Sequence, residues 1–160
     1  MGIMWLEMEQ SGGEIMFFIG TYSHNLDDKS RLILPSKLRE KLGGTVYVSL
    51  GLDKCLAVYP EEVFEQMAKQ LSTVSSLNAE NRSYKRIFFS SSYQCDVDKQ
   101  GRIQLTKDSL EKCNIKKDVM IIGVEDHIEI WDKERFYQME EENEAAYESN
   151  AAKIFESKGE

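Results

Sequence analysis

Two short segments carry the same pair of opposite charges at the same spacing. One reads Asp27-Asp28-Lys29-Ser30-Arg31 and the other Asp98-Lys99-Gln100-Gly101-Arg102. In each, an arginine follows an aspartate by four residues, with one lysine between them. The guanidinium is a planar fork that grips a phosphate, or the O6/N7 edge of guanine, through two parallel hydrogen bonds. Lysine adds a compact point charge toward phosphates. The leading carboxylate fixes the turn or orients the arginine. Lys29, Arg31, Lys99 and Arg102 are therefore the candidate DNA-binding residues, and Asp27 and Asp98 the turn-orienting ones. One such turn is ordinarily just a solvated turn; its recurrence is what gives the pattern weight.

Other chemistries find little support. Asp27 and Asp98 are repeated carboxylates, but neither sits in the Asp-Thr/Ser-Gly setting of an aspartic protease. No Ser-His or Cys-His arrangement and no phosphate-cradling glycine loop is present. The expectation is a protein that is not an enzyme. Cys55, Cys95 and Cys113, with His24 and His127, lack the spacing of metal ligands, so no metal or cofactor is expected and the thiols read as free. The histidines read as incidental strand residues. Arg82, Lys85 and Arg86 read as a solvated helix face that could flank a DNA surface.

The two turns belong to a longer internal repeat. Shifting the chain by 71 residues superposes Tyr22 on Tyr93, Asp27 on Asp98, Arg31 on Arg102 and Leu34 on Leu105. After one inserted residue, Gly51 meets Gly123, Tyr59 meets Trp131, and Phe64 and Met67 meet Phe136 and Met139. Matches spread this widely imply a duplicated unit of about 70 residues.

Each copy presents the same elements. A strand enters the Asp–Arg turn and a second leaves it, as in a hairpin. A short helix follows, opened by Pro35 in the first copy and Thr106 in the second, with Gly43-Gly44 stopping the first. Two runs rich in Val, Ile and aromatics then read as strands, residues 45–50 with 55–59 and 118–124 with 127–131. Each copy ends in a helix. Val63, Phe64, Met67, Ala68 and Leu71 form one apolar stripe, and in the second copy a longer, more polar helix runs through Phe136 to Tyr147. Phe64, Phe136 and the Phe88-Phe89 pair read as core or interface. The expected organisation is an extension over residues 1–15, a first module over 16–77, a linking helix over 78–90, a second module over 91–147 and an acidic tail over 148–160. One unit is too small to bury a stable core alone, whereas two sharing a sheet are not.

Net charge is −8, which argues at first against a nucleic-acid partner. Its distribution removes the objection. Residues 1–15 hold three acids and no base, residues 132–160 hold nine acids and four bases, and residues 16–131 are neutral. No run approaches the roughly 20 apolar residues of a membrane helix.

Three segments together resemble the MraZ family: Asp27 to Arg31 followed by Leu-Ile-Leu-Pro35, the Asp98–Arg102 turn, and the Asn-Ala-Glu-x-Arg-x-x-Lys-Arg-x-Phe-Phe-Ser stretch over residues 78–90. The likeness covers residue 16 to about 147. It implies an α+β, β-rich fold: two tandem SpoVT-AbrB-like modules forming a swapped-hairpin, double-psi-like β barrel with flanking helices. It also implies a cytoplasmic, nucleoid-associated regulator that assembles as a homo-oligomeric ring. Such a protein binds direct repeats of double-stranded DNA upstream of the division and cell-wall operon through the turn residues named above. Two departures are visible: Ser30 and Thr106 stand where the family has Gly and Pro. The alternative is an AbrB-like antitoxin that binds a partner protein through its acidic C-terminal helix.

Overall fold

A computed structural model describes residues 17–158, so residues 1–16, with the extension expected over 1–15, and residues 159–160 lie outside it. In chain order the elements are β1 (Thr21–Asn25), β2 (Arg31–Ile33), α1 (Ser36–Leu42), β3 (Thr45–Leu50), β4 (Leu56–Pro60), α2 (Glu61–Ser72), α3 (Ala79–Ser91), β5 (Tyr93–Asp96), β6 (Arg102–Gln104), α4 (Lys107–Lys112), β7 (Asp118–Val124), β8 (His127–Asp132), α5 (Lys133–Glu144) and α6 (Tyr147–Lys158). Local chemistry accounts for several boundaries. Asn78 caps α3 through its Oδ1, which accepts from the Asn81 amide at 3.0 Å. Thr106 takes over from proline at α4 by accepting from the Ser109 amide at 3.2 Å. Gly43 ends α1 with φ +86°.

Six antiparallel strands form one sheet in the order β1-β7-β8-β4-β3-β5, and β2 pairs with β6 in a separate two-stranded ribbon. The order interleaves the two repeat units. The first strand of each unit lies against the third strand of the other, β1 on β7 and β5 on β3. Two pairings mark a pseudo-two-fold axis. In the ribbon Leu32 lies opposite Ile103, its own repeat mate. In the sheet Ala57 lies opposite Glu129, again its mate.

The interleaving follows from what each unit lacks. The core is built from matched residues of both copies: Leu32 and Ile103, Leu34 and Leu105, Val48 and Ile121, Leu56 and Ile128, Val58 and Ile130. Each such side chain contributes about 1.5–3 kcal/mol when fully buried. A single unit supplies half of this set and, apart from its own hairpin of β3 with β4 or β7 with β8, leaves its strands unpaired.

Three sequence-based expectations are corrected. The sheet does not close into a double-psi-like barrel. Among the described residues it ends at β1 and β5, and β2 and β6, three residues each, are occupied with one another. The repeat alignment also shifts. Tyr47 pairs with Tyr59 where Met120 pairs with Trp131, so the offset in this hairpin strand is 73 and Gly123 aligns with Leu50, not Gly51. Gly123 has its own reason: a Cβ there would clash with the backbone of Phe18 and Ile19, because the chain at Phe18 bridges to Glu125 across it. Finally, the long C-terminal helix is two helices, α5 and α6. The Asn143 amide donates to the Met139 carbonyl at 2.7 Å, competing with the backbone at the helix end, and Ala146 N–H turns back to the Asn143 carbonyl.

The aromatic matches are structural. Tyr59 and Phe64 pack at 6.3 Å between ring centroids, and their mates Trp131 and Phe136 at 6.1 Å. Phe64 also stacks on Tyr47 and Phe88. Cys55, Cys95 and Cys113 are free and buried. Burial pushes the thiols of Cys95 and Cys113 up to about 11, so both stay protonated at neutral pH.

Candidate nucleic-acid interface

Each Asp–Arg turn is closed by its own aspartate. Asp27 Oδ1 accepts from the Lys29 and Arg31 amides at 2.9 and 2.8 Å, and Oδ2 accepts from Arg31 Nε at 2.7 Å. Main-chain bonds complete it, Ser30 N–H to the Asp27 carbonyl and Asp27 N–H to the Arg31 carbonyl. The second turn repeats the set. Asp98 Oδ1 accepts from Gln100 and Arg102 at 2.9 and 2.8 Å, and Oδ2 from Arg102 Nε at 2.8 Å. The expected hairpin is absent: β1 joins the large sheet while β2 joins the ribbon, so no ladder flanks the turn. The carboxylate is what holds it.

Electrostatics agree with that role. The Arg31 main-chain amide is the strongest influence on the Asp27 carboxyl; partial burial works against it, while the guanidinium and the Lys29 amide add to it. The net result lies below the ordinary 3.8. Asp98 is lowered in the same way by Arg102 and Gln100. Both carboxylates are thus charged at neutral pH and keep their arginines aimed.

The superposed bonds also settle which turn positions correspond. Lys29 N–H and Gln100 N–H fill the same role, so Lys99 is the counterpart of Asp28, not of Lys29. The two lysines therefore project from different turn positions. Outside the Asp–Arg pair, the first turn is neutral (Asp28, Lys29) and the second carries one positive charge (Lys99, Gln100).

The ribbon places both turns on one surface. Alternation sends Leu32 and Ile103 into the core and Arg31, Ile33, Arg102 and Gln104 outward. Arg31 faces Gln104, and Ile33 faces Arg102. The two arginines are diagonal neighbours, about 7–8 Å apart by the geometry of such pairs. The turns are tied across the ribbon: Leu34 N–H donates to the Gly101 carbonyl and Leu105 N–H to the Ser30 carbonyl. Gln104 Nε2 braces the first turn further by donating to the Lys29 carbonyl at 2.6 Å. Side-chain hydrogen bonds from Arg31 and Arg102 to described residues leave only from Nε. The outer edges of both guanidiniums stay available.

Ser30 has φ +61° and Gly101 φ +80°. A left-handed non-glycine residue costs about 1–2 kcal/mol, partly offset because glycine loses about 0.5–1 kcal/mol more chain entropy on folding. Ser30→Gly is accordingly expected to stabilise the protein by up to about 1 kcal/mol, read by thermal denaturation; a fall in stability contradicts the strain account. At Gly101 the left-handed backbone is what favours glycine, and the Arg39 side chain lies across it and would have to shift for any Cβ.

The other candidates divide. Arg82 donates to the Ser76 and Leu77 carbonyls, and Lys85 to the Val74 carbonyl at 2.7 Å, so both hold the connector before α3. His127 is engaged by Asp126 at 2.7 Å and Glu129 at 3.3 Å beneath the Tyr59 ring. Burial disfavours its charged form, but the two carboxylates outweigh this and raise its pKa. Sequence reasoning missed Arg39, Ile33 and Gln104. The outward positions of β2 and β6 could have been found from strand alternation alone; the packing of Arg39 over Gly101 could not.

Comparison with known proteins agrees with this duplicated architecture. The family model described as "MraZ protein, putative antitoxin-like" matches twice, over residues 17–87 and 88–157. The chain is 41% identical over 134 residues to "Transcriptional regulator MraZ" of Finegoldia magna, covering 84% of this chain and 94% of that protein. It is 40% identical over 139 residues to the protein of the same name from Heliobacterium modesticaldum, covering 87% and 97%. With that from Mesoplasma florum it shares 41% over 142 residues, covering 88% and 97%. Two tandem matches spanning nearly the whole described chain, and relatives aligned along almost their full length, place this protein in the MraZ family.

Proposed function

We propose that this protein is a sequence-specific, DNA-binding transcriptional regulator of the cytoplasm and nucleoid. It binds direct repeats upstream of the division and cell-wall operon as a ring-shaped homo-oligomer. Lys29, Arg31, Lys99 and Arg102 make the contacts, and Asp27 and Asp98 hold the turns. The observation that carries this reading is the pair of identically bonded turns, which aim two guanidiniums outward from one ribbon. A two-stranded β-ribbon fits the major groove, where arginine reads guanine and lysine meets phosphate. Neutrality outside the termini leaves such a face free of repulsion from DNA. Assembly multiplies a small contact through effective concentration.

The test is a gel shift with duplex from upstream of the chain's own gene beside an unrelated duplex. Preference for the upstream fragment is expected. Two lysines neutralising phosphates predict that log affinity falls with log salt at a slope of about −1.8 for each chain engaged, steepening to about −3.6 where both arginines bind phosphate as well. A flat salt response, or equal binding to both fragments, would discard the reading.

An antitoxin-like alternative has one observation in its favour. On helix α6, where Glu148 and Glu156 are balanced by Lys153 and Lys158, Tyr147 and Phe155 are 77% and 72% exposed. Binding of a partner protein that α6 truncation abolishes, with no DNA preference, is the outcome that selects it.

A further inference from the structure

The pseudo-two-fold axis passes through Leu32 and Ile103, so the outward face of the ribbon has two ends. They are alike in backbone and in arginine but not in what stands beside the arginine. At the first end Arg31 faces Gln104, whose amide nitrogen is already spent on the Lys29 and Leu105 carbonyls. At the second end Arg102 faces Ile33, an aliphatic side chain 49% exposed on a surface otherwise polar. Ile33 and Gln104 are repeat mates, so the same backbone position carries opposite chemistry at the two ends. The second end also holds the extra positive charge, because Lys99 stands where the first has Asp28. Isolated exposed apolar residues are common on protein surfaces. What distinguishes Ile33 is its place on a ribbon face between two guanidiniums aimed the same way.

We infer that Ile33 is a specificity-determining residue that reads the 5-methyl group of thymine in the major groove, next to the base pair or phosphate held by Arg102. This rests on the regulator reading above and extends it. Thymine is the base whose major-groove edge offers a methyl group, and an aliphatic side chain meets that group favourably. The neighbouring cations supply complementarity to the polyanion. They cannot by themselves tell one pyrimidine from another, because phosphate contact carries no direct sequence information. The unequal mate Gln104 makes the face directional, so a single chain accepts its site in one polarity. Direct repeats, rather than palindromes, suit a reader of that kind.

The experiment compares the upstream duplex with the same duplex carrying uracil for every thymine, which removes only the methyl groups. The wild-type protein is expected to bind the uracil duplex about tenfold more weakly. Ile33→Ala is expected to lose about tenfold on the thymine duplex and nothing further on uracil. Affinity for an unrelated duplex, set by the cations, is expected to stay within about twofold. Ile33→Gln gives the same result by a route that keeps the fold, since Gln104 already occupies the mated position. The inference is overturned if uracil weakens both Ile33 variants as much as wild type, or if both variants bind like wild type. Preference for the upstream duplex without uracil sensitivity removes Ile33 alone. No preference at all removes the regulator reading, and this inference with it.

Discussion

Replacing both Arg31 and Arg102 with alanine is expected to abolish the distinction between the upstream duplex and unrelated DNA. Each single substitution should cost about tenfold or more in specific affinity, and the pair about a hundredfold or more. Two effects act together. The guanidinium leaves, and the carboxylate it neutralised stays: Asp27 and Asp98 keep their amide donors and remain charged. The first turn, with Asp27 and Asp28 against Lys29, then carries a net negative charge that repels phosphate, while the second, with Asp98 against Lys99, falls to neutral. The fold should survive, because the arginine side chains lie outside the core and the main-chain bonds of both turns do not depend on them. Urea denaturation checks this: each half-buried arginine gives up one ion pair with its aspartate, so a loss of no more than about 1 kcal/mol is expected for each substitution. Arginine to lysine at the same positions separates charge from shape. Loss of discrimination with retained salt dependence identifies paired hydrogen bonding to a base, whereas retention of both identifies simple phosphate contact. Unchanged discrimination in the double alanine variant would remove the turns from recognition.

Ile103→Ala is expected to destabilise the protein by about 2–5 kcal/mol, although no atom it removes reaches the surface. Ile103 is fully buried opposite Leu32 at the pseudo-two-fold axis. Nearby groups cannot collapse into the gap easily, because each end of the ribbon is fixed to the opposite turn through Leu34 and Leu105. Leu32→Ala should fall in the same range. The double variant should cost less than the sum, since one cavity is shared. Equilibrium denaturation measures all three; strict additivity would show that the two side chains do not pack as one unit. Half-exposed Ile33, beside Leu32 in β2, should change stability little, which keeps its proposed recognition role separable from folding.

Much of this is legible in the residues themselves. The repeat, the paired Asp–Arg turns, the stop at Gly43 and the positions of nearly all strands follow from local rules. They depend on residue type and spacing within a few positions. Ser30 stands where the family has glycine, and its φ of +61° shows why glycine suits that position. The repeat alignment failed at one place for a clear reason. Gly51 and Gly123 match as letters, but strand register is set by cross-strand pairing, and pairing puts Leu50 opposite Leu56 as Gly123 is opposite Ile128. The long C-terminal helix failed because a side-chain bond from Asn143, not a glycine or proline, ends α5.

The sequence alone determined that two copies exist, that each carries a carboxylate-held arginine, and that neither copy could enclose its apolar residues by itself. Only the tertiary structure decided how the copies combine. Exchange of β1 and β5 between units, and the pairing of β2 with β6, are long-range matters in which several topologies satisfy the same local pattern. The one adopted buries both apolar sets in a single core and leaves the sheet open at β1 and β5. That choice also brought Arg31 and Arg102, 71 residues apart in the chain, onto one outward face. Proximity across such a separation is fixed by which strands pair, and strand pairing is decided by the burial of the whole molecule rather than by any short segment.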